Sequence, residues 1–81
     1  MIDIDILTRP GCHLCDEMRQ ALKQAASGLD VRLSETDIDA DEKLTARYGN
    51  DIPVVFVNGS KAFKHRATVK ELRKRLLMAD G

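Results

Sequence analysis

Cys12-His13-Leu14-Cys15 is the part of this chain whose residue types and spacing can do chemistry: two thiols, two residues apart. Such a pair can exchange with a foreign disulfide, or it can supply half of a tetrahedral metal site. A closed metal site needs four ligands, and the other candidates of that kind are His13 and His65. His13 lies between the two cysteines and is badly placed to close a tetrahedron with them. Thiol-disulfide exchange is the chemistry the spacing favours. In it, the Cys12 thiolate attacks a disulfide and Cys15 then displaces the mixed disulfide formed on Cys12.

For that division of labour Cys12 must stand where a thiolate is favoured, beside the unpaired amide donors that begin a helix. Arg9 and a protonated His13 would favour the thiolate further, and Asp16 and Glu17 would oppose it if they approached the sulfur. His65 reads as a loop or surface residue.

The flanking elements agree with this placement. Ile2, Ile4 and Ile6 alternate with Asp3 and Asp5, the period of a half-buried strand. Thr8-Arg9-Pro10-Gly11 supplies the turn, with glycine free to take a positive φ. Leu14, Met18, Ala21, Leu22 and Ala25 then recur at helical spacing, and Gly28 stands where a left-handed terminator belongs. Val31 to Ile38 reads as a second strand with Val31 and Leu33 inward. Asp39 and Glu42 form a capping-box pattern for a short helix that Gly49 can end. Ile52 to Val57 is an apolar third strand headed by Pro53, and Asn58-Gly59 is a hairpin turn into a short edge strand, Lys61 to Phe63. Thr68 and Glu71 cap a last helix whose stripe is Val69, Leu72, Leu76 and Ala79. The predicted order is βαβαββα: an α/β fold with a mixed four-stranded sheet and three helices, in one domain over residues 1–81.

Thr8-Arg9-Pro10-Gly11-Cys12-His13-Leu14-Cys15-Asp16, followed by Ile52-Pro53-Val54, resembles the glutaredoxin-like members of the thioredoxin superfamily, and the likeness runs over nearly the whole chain. The resemblance implies a thioredoxin-like fold and a thiol-disulfide oxidoreductase reducing protein or low-molecular-weight disulfides. It implies that Pro53 is cis and faces the dithiol, and that Ile52 offers backbone groups to a bound peptide or glutathione. Arg9, His13, Leu14, Ile52 and Pro53 are then the expected substrate-binding residues around the catalytic pair Cys12 and Cys15. Glutaredoxins that use glutathione usually carry a Gly-Gly pair followed by acidic residues after the fourth strand. The matching stretch here is Lys64-His65-Arg66-Ala67-Thr68, with neither feature. A dithiol redox protein is therefore implied more strongly than glutathione as its reductant; a thioredoxin-type system is the other candidate. No other cofactor and no metal is expected.

Charge and length narrow the partners. Thirteen basic and thirteen acidic side chains leave a net charge of zero, which gives no reason to expect nucleic acid or an anionic membrane as main partner. The charge is unevenly spread: residues 1–42 carry four basic and ten acidic side chains, a net of −6, and residues 43–81 carry nine and three, a net of +6. The basic cluster Lys61, Lys64, Arg66, Lys70, Arg73, Lys74 and Arg75 has no aromatic platform beside it and reads as a solvated helix face, open also to a negatively charged protein. The acidic start Met1-Ile2-Asp3-Ile4-Asp5 does not read as an export signal, and Ile52 to Val57 is too short to span a bilayer. A monomer in the reducing cytoplasm is expected, where paired cysteines are seldom structural. Two other readings stand beside the oxidoreductase: a non-catalytic thioredoxin-fold adaptor for a protein partner, and a metal-binding CxxC module.

Overall fold

The computed structural model describes residues 1–80. Its elements follow the predicted order: β1 Ile2–Thr8, α1 His13–Ala25, β2 Val31–Asp37, a 3-10 turn Ile38–Ala40, α2 Glu42–Tyr48, β3 Val54–Val57, β4 Ser60–Lys64 and α3 Val69–Asp80. The sheet order is β2-β1-β3-β4. β1 and β2 run parallel through the α1 crossover, and β1–β3 and β3–β4 are antiparallel. The hairpin turns at Asn58 (φ 50°) and Gly59 (φ 83°), the positive pair that favours Asn-Gly. Asn58 also joins the turn to β1: its side-chain oxygen accepts from the Asp3 N–H at 2.9 Å.

Strand alternation sorts the core into two layers. Ile2, Ile4 and Ile6 of β1, with Val55 and Val57 of β3, meet Met18, Leu22 and Ala25 of α1 and Leu72 and Leu76 of α3 on one face. Leu7 and Val54 point the other way, onto Ile38, Leu44 and Tyr48 of the 3-10 turn and α2. The Tyr48 and Phe56 rings meet edge to face there at 6.1 Å. Helices α1 and α3 are also pinned together, since the Arg73 guanidinium donates to the Ala25 carbonyl at 2.9 Å and to that of Ser27.

Several details differ from the sequence reading. Leu33 shares the helical face with Ile4 but is 37% exposed, because β2 is an edge strand that the two helices only partly overlie; Val31 is half-buried. Ile38 leaves β2 to open the 3-10 turn and is fully buried. The cap of α2 is Asp41, whose carboxylate accepts from the Lys43 and Leu44 N–H groups at 2.8 and 3.4 Å. Asp39 pairs with Arg9 instead. Ile52 and Pro53 precede β3 rather than belonging to it. Val69, expected in the stripe of α3, is 36% exposed, standing at the helix start beyond the reach of the core.

Candidate active site

Cys12 is the N-cap of α1. Pro10-Gly11 makes the turn, with Gly11 at φ 76°, and Cys12 itself is extended (φ −92°, ψ 109°), so its side chain swings back over the first helical turn. Its Sγ accepts from the Cys15 N–H at 3.1 Å, taking the place an aspartate or serine oxygen usually holds at a helix start. Cys12 is half-buried; Cys15 is 1% exposed and belongs to the packed face of the helix. The two sulfurs are joined in a disulfide whose Cα atoms stand 5.2 Å apart. Of the pair, the cysteine reachable from outside is thus the one at the amide-rich end of the helix.

The other residues singled out from the sequence differ in burial and in their partners. Ile52-Pro53 is a cis peptide; Pro53 is buried and Ile52 half-buried. Leu14 is half-buried and His13 exposed. The Arg9 guanidinium is taken up by the fold: Nε pairs with Asp39 Oδ1 at 3.0 Å and Nη1 reaches the Gly49 carbonyl at 3.5 Å. It ties the turn before Cys12 to the end of α2, three residues ahead of Ile52.

Leu14, which stands between the two cysteines in sequence, lines an open cleft of about 300 Å³ with Glu17 and Met18 of α1 and with His65, Arg66 and Thr68 of the β4–α3 corner. His65 sits in the left-handed region (φ 66°) and its backbone N–H donates to the Pro53 carbonyl at 2.9 Å, so the corner is hooked to the cis-proline segment. The corner ends where Thr68 and Glu71 cap α3 reciprocally: the Thr68 N–H donates to Glu71 Oε1 at 3.0 Å and the Glu71 N–H to Thr68 Oγ1 at 3.1 Å. The Thr68 N–H and the Thr68 hydroxyl, both donating to Glu71 Oε1 at 3.0 Å, hold the Glu71 carboxyl below its ordinary pKa. Glu17, Met18, Arg66 and Thr68 were not singled out as site residues. The signal was the capping box itself: the residues just before it must sit at the sheet end where α1 also begins.

Behind the site, Arg19 of α1 bridges Asp16 at 2.6 Å and Glu35 of β2. The Glu35 carboxyl is held low, first by its hydrogen bond from Arg19 and further by that guanidinium's charge and the Thr8 hydroxyl. Among the described residues, no group of three or more His, Cys, Asp or Glu side chains gathers as a metal would require. No helix of the described residues is long and apolar enough to cross a membrane.

Residues 3–77 match the model of the glutaredoxin-like domain (DUF836). A glutaredoxin-like protein of Dictyostelium discoideum is 31% identical over 80% of this chain and 66% of its own length. An uncharacterized protein of Mycobacterium tuberculosis is 30% identical over 69% of this chain and 63% of its own. The chain therefore spans a little under two thirds of the length of these curated relatives. Among solved structures, a structural genomics target from X. campestris superposes with a TM-score of 0.80 at 29% identity, covering 93% of this chain and 96% of that one. A thioredoxin variant of Halobacterium salinarum superposes with a TM-score of 0.68 at 16% identity, covering 99% and 75%, which shows the shared thioredoxin fold.

Proposed function

Since the chain belongs to the glutaredoxin-like (DUF836) family and has the thioredoxin fold, we propose that it is a thiol-disulfide oxidoreductase that reduces protein or low-molecular-weight disulfides through Cys12 and Cys15. The observation that carries this reading is the asymmetry of the pair: Cys12 Sγ receives a helix-start N–H at 3.1 Å and is partly open, and Cys15 is buried one turn behind it.

In the reduced protein, the Cys12 thiolate attacks one sulfur of the substrate disulfide. A bond forms from Cys12 to that sulfur, and the other sulfur leaves as a thiolate that takes up a proton. Cys15, deprotonated, then attacks Cys12 Sγ, releasing the second substrate thiolate and closing the Cys12–Cys15 disulfide. Two electrons pass from the dithiol to the substrate. An external dithiol, or two molecules of a monothiol such as glutathione, returns them. The amides at the start of α1 stabilise the Cys12 sulfur as attacking and as leaving thiolate. Ile52 and Pro53, just ahead of the β3 end that pairs with the end of β1, serve as the surface along which the substrate backbone lies, and the cytoplasm is the compartment whose reducing poise suits this direction of flow.

The test uses two variants with a small neutral disulfide as substrate. Cys12→Ser is expected to abolish reduction, and Cys15→Ser to accumulate a protein–substrate mixed disulfide visible by intact mass. Undiminished turnover in both variants contradicts the reading.

A further inference from the structure

We infer that the preferred substrate of this site is a polypeptide disulfide flanked by carboxylates, which docks along the basic β4–α3 edge of the molecule. This rests on the reductase reading above and adds the substrate class to it.

The two halves of the chain are oppositely charged, −6 over residues 1–42 and +6 over residues 43–81. The sheet keeps their strands apart, while helices α1 and α3 of the two halves pack together on one face. The sheet order β2-β1-β3-β4 sets both strands of the acidic half on one side and both strands of the basic half on the other. The seam between the halves falls between β1 and β3, and the dithiol lies at the end of β1, on that seam. The cleft next to Leu14 has Glu17 of α1 on one wall and His65 and Arg66 of the β4–α3 corner on the other, with the Glu71 carboxylate, held by the Thr68 N–H and hydroxyl, at its α3 end.

The cations of the basic side face outward. Lys61, Arg66, Lys70 and Lys74 are all exposed, so their charge is available to a partner; Lys64 is exposed too but faces Asp51. The acids among them are engaged locally. Asp51 lies 3.9 Å from Lys64 and 4.0 Å from His65, and the Glu71 carboxylate is spent on capping Thr68. Arg73 is excluded from the docking set, because its guanidinium is bound to the end of α1. What remains is a strip of exposed cations, Lys61, Arg66, Lys70 and Lys74, running from β4 through the corner to α3, with Lys64 set against Asp51 and the cleft at the strip's edge. A substrate carrying carboxylates on one side of its disulfide meets attraction from this strip when its sulfur reaches Cys12. One carrying lysines there meets repulsion. Charge of this kind acts chiefly on the rate of encounter and is screened by salt.

The experiment compares two synthetic peptide disulfides, identical except that one is flanked by Asp and Glu and the other by Lys, alongside a small neutral disulfide. At low ionic strength the acidic peptide is expected to be reduced on the order of tenfold faster than the basic one. The advantage should collapse at about 0.5 M salt, where screening acts within a few ångströms. The Lys61→Glu/Lys70→Glu double variant should lower the acidic-to-basic ratio, with its rate on the neutral disulfide as the internal reference for folding and chemistry. Equal rates on the two peptides, or a faster basic one, with the neutral disulfide still reduced, overturn this inference alone. No reduction of any of the three overturns the reductase reading and this inference with it.

Discussion

Gly49 ends α2 at φ −55°, an ordinary right-handed conformation, so its need for glycine comes from space and not from backbone freedom. A Cβ there would stand 2.5 Å from the Thr45 backbone oxygen, which cannot move without breaking the last turn. Gly49→Ala is expected to cost about 1–3 kcal/mol, read as a lower denaturant midpoint at unchanged slope. Gly28, at φ 79°, is a glycine for the opposite reason. Both were recognisable as terminators from their places after helical runs; which physical reason applied depended on coordinates. Glu35 yields a pH prediction. Its folded pKa lies below the ordinary 4.5, so its contribution is present above that value and is lost as pH falls through the folded one. Between about pH 5 and pH 3 the melting temperature of the parent should therefore fall more steeply than that of Glu35→Gln; parallel curves contradict the Arg19–Glu35 pairing.

At the level of elements, the start of α1 was readable because a turn, a helix-start cysteine and a regular apolar stripe all agreed. The start of α2 was not. Asp37, Asp39 and Asp41 offer three capping carboxylates at two-residue spacing, and local sequence does not choose among them. The choice is made by Ile38, which must be buried under α2, and this leaves Asp37 to cap the 3-10 turn and Asp41 to cap the helix. Asp41→Ala is accordingly expected to cost about 1 kcal/mol, as cap removals do. Asp39→Ala should cost less than that, since an exposed ion pair to Arg9 is worth between 0 and about 1 kcal/mol. Chemical denaturation of the two variants distinguishes them, and the reverse order would contradict the assignment of the cap. β2 shows a related limit. Its alternation gave the right face for Leu33, but how far a helix overlies an edge strand depends on helix placement.

Across the whole molecule, the order of elements and the mixed sheet followed from periodicity, the Asn-Gly turn and the handedness of the crossover. The division of the core into a large layer under α1 and α3 and a small one under α2 follows from strand alternation alone: Ile6 points one way, Leu7 the other. A chain this short has little surplus stability, so single losses in the large layer weigh heavily. Leu22→Ala is expected to cost about 2–5 kcal/mol and Leu44→Ala, half-buried in the small layer, clearly less, both measured as unfolding free energies. The charge imbalance between the two halves was plain in the composition. That it lies across the sheet, with the dithiol on the seam, required the strand order.

The account depends on one sulfur being held ready by the beginning of α1. The direct measurement is the rate of alkylation of each cysteine in the reduced protein as a function of pH, with the labelled residue identified by mass. Cys12 is expected to react first, with an apparent pKa below the roughly 8.5 of a free thiol, and Cys15 to stay unlabelled until the protein unfolds. Labelling of Cys15 ahead of Cys12, or a Cys12 titration at or above the free-thiol value, would contradict it.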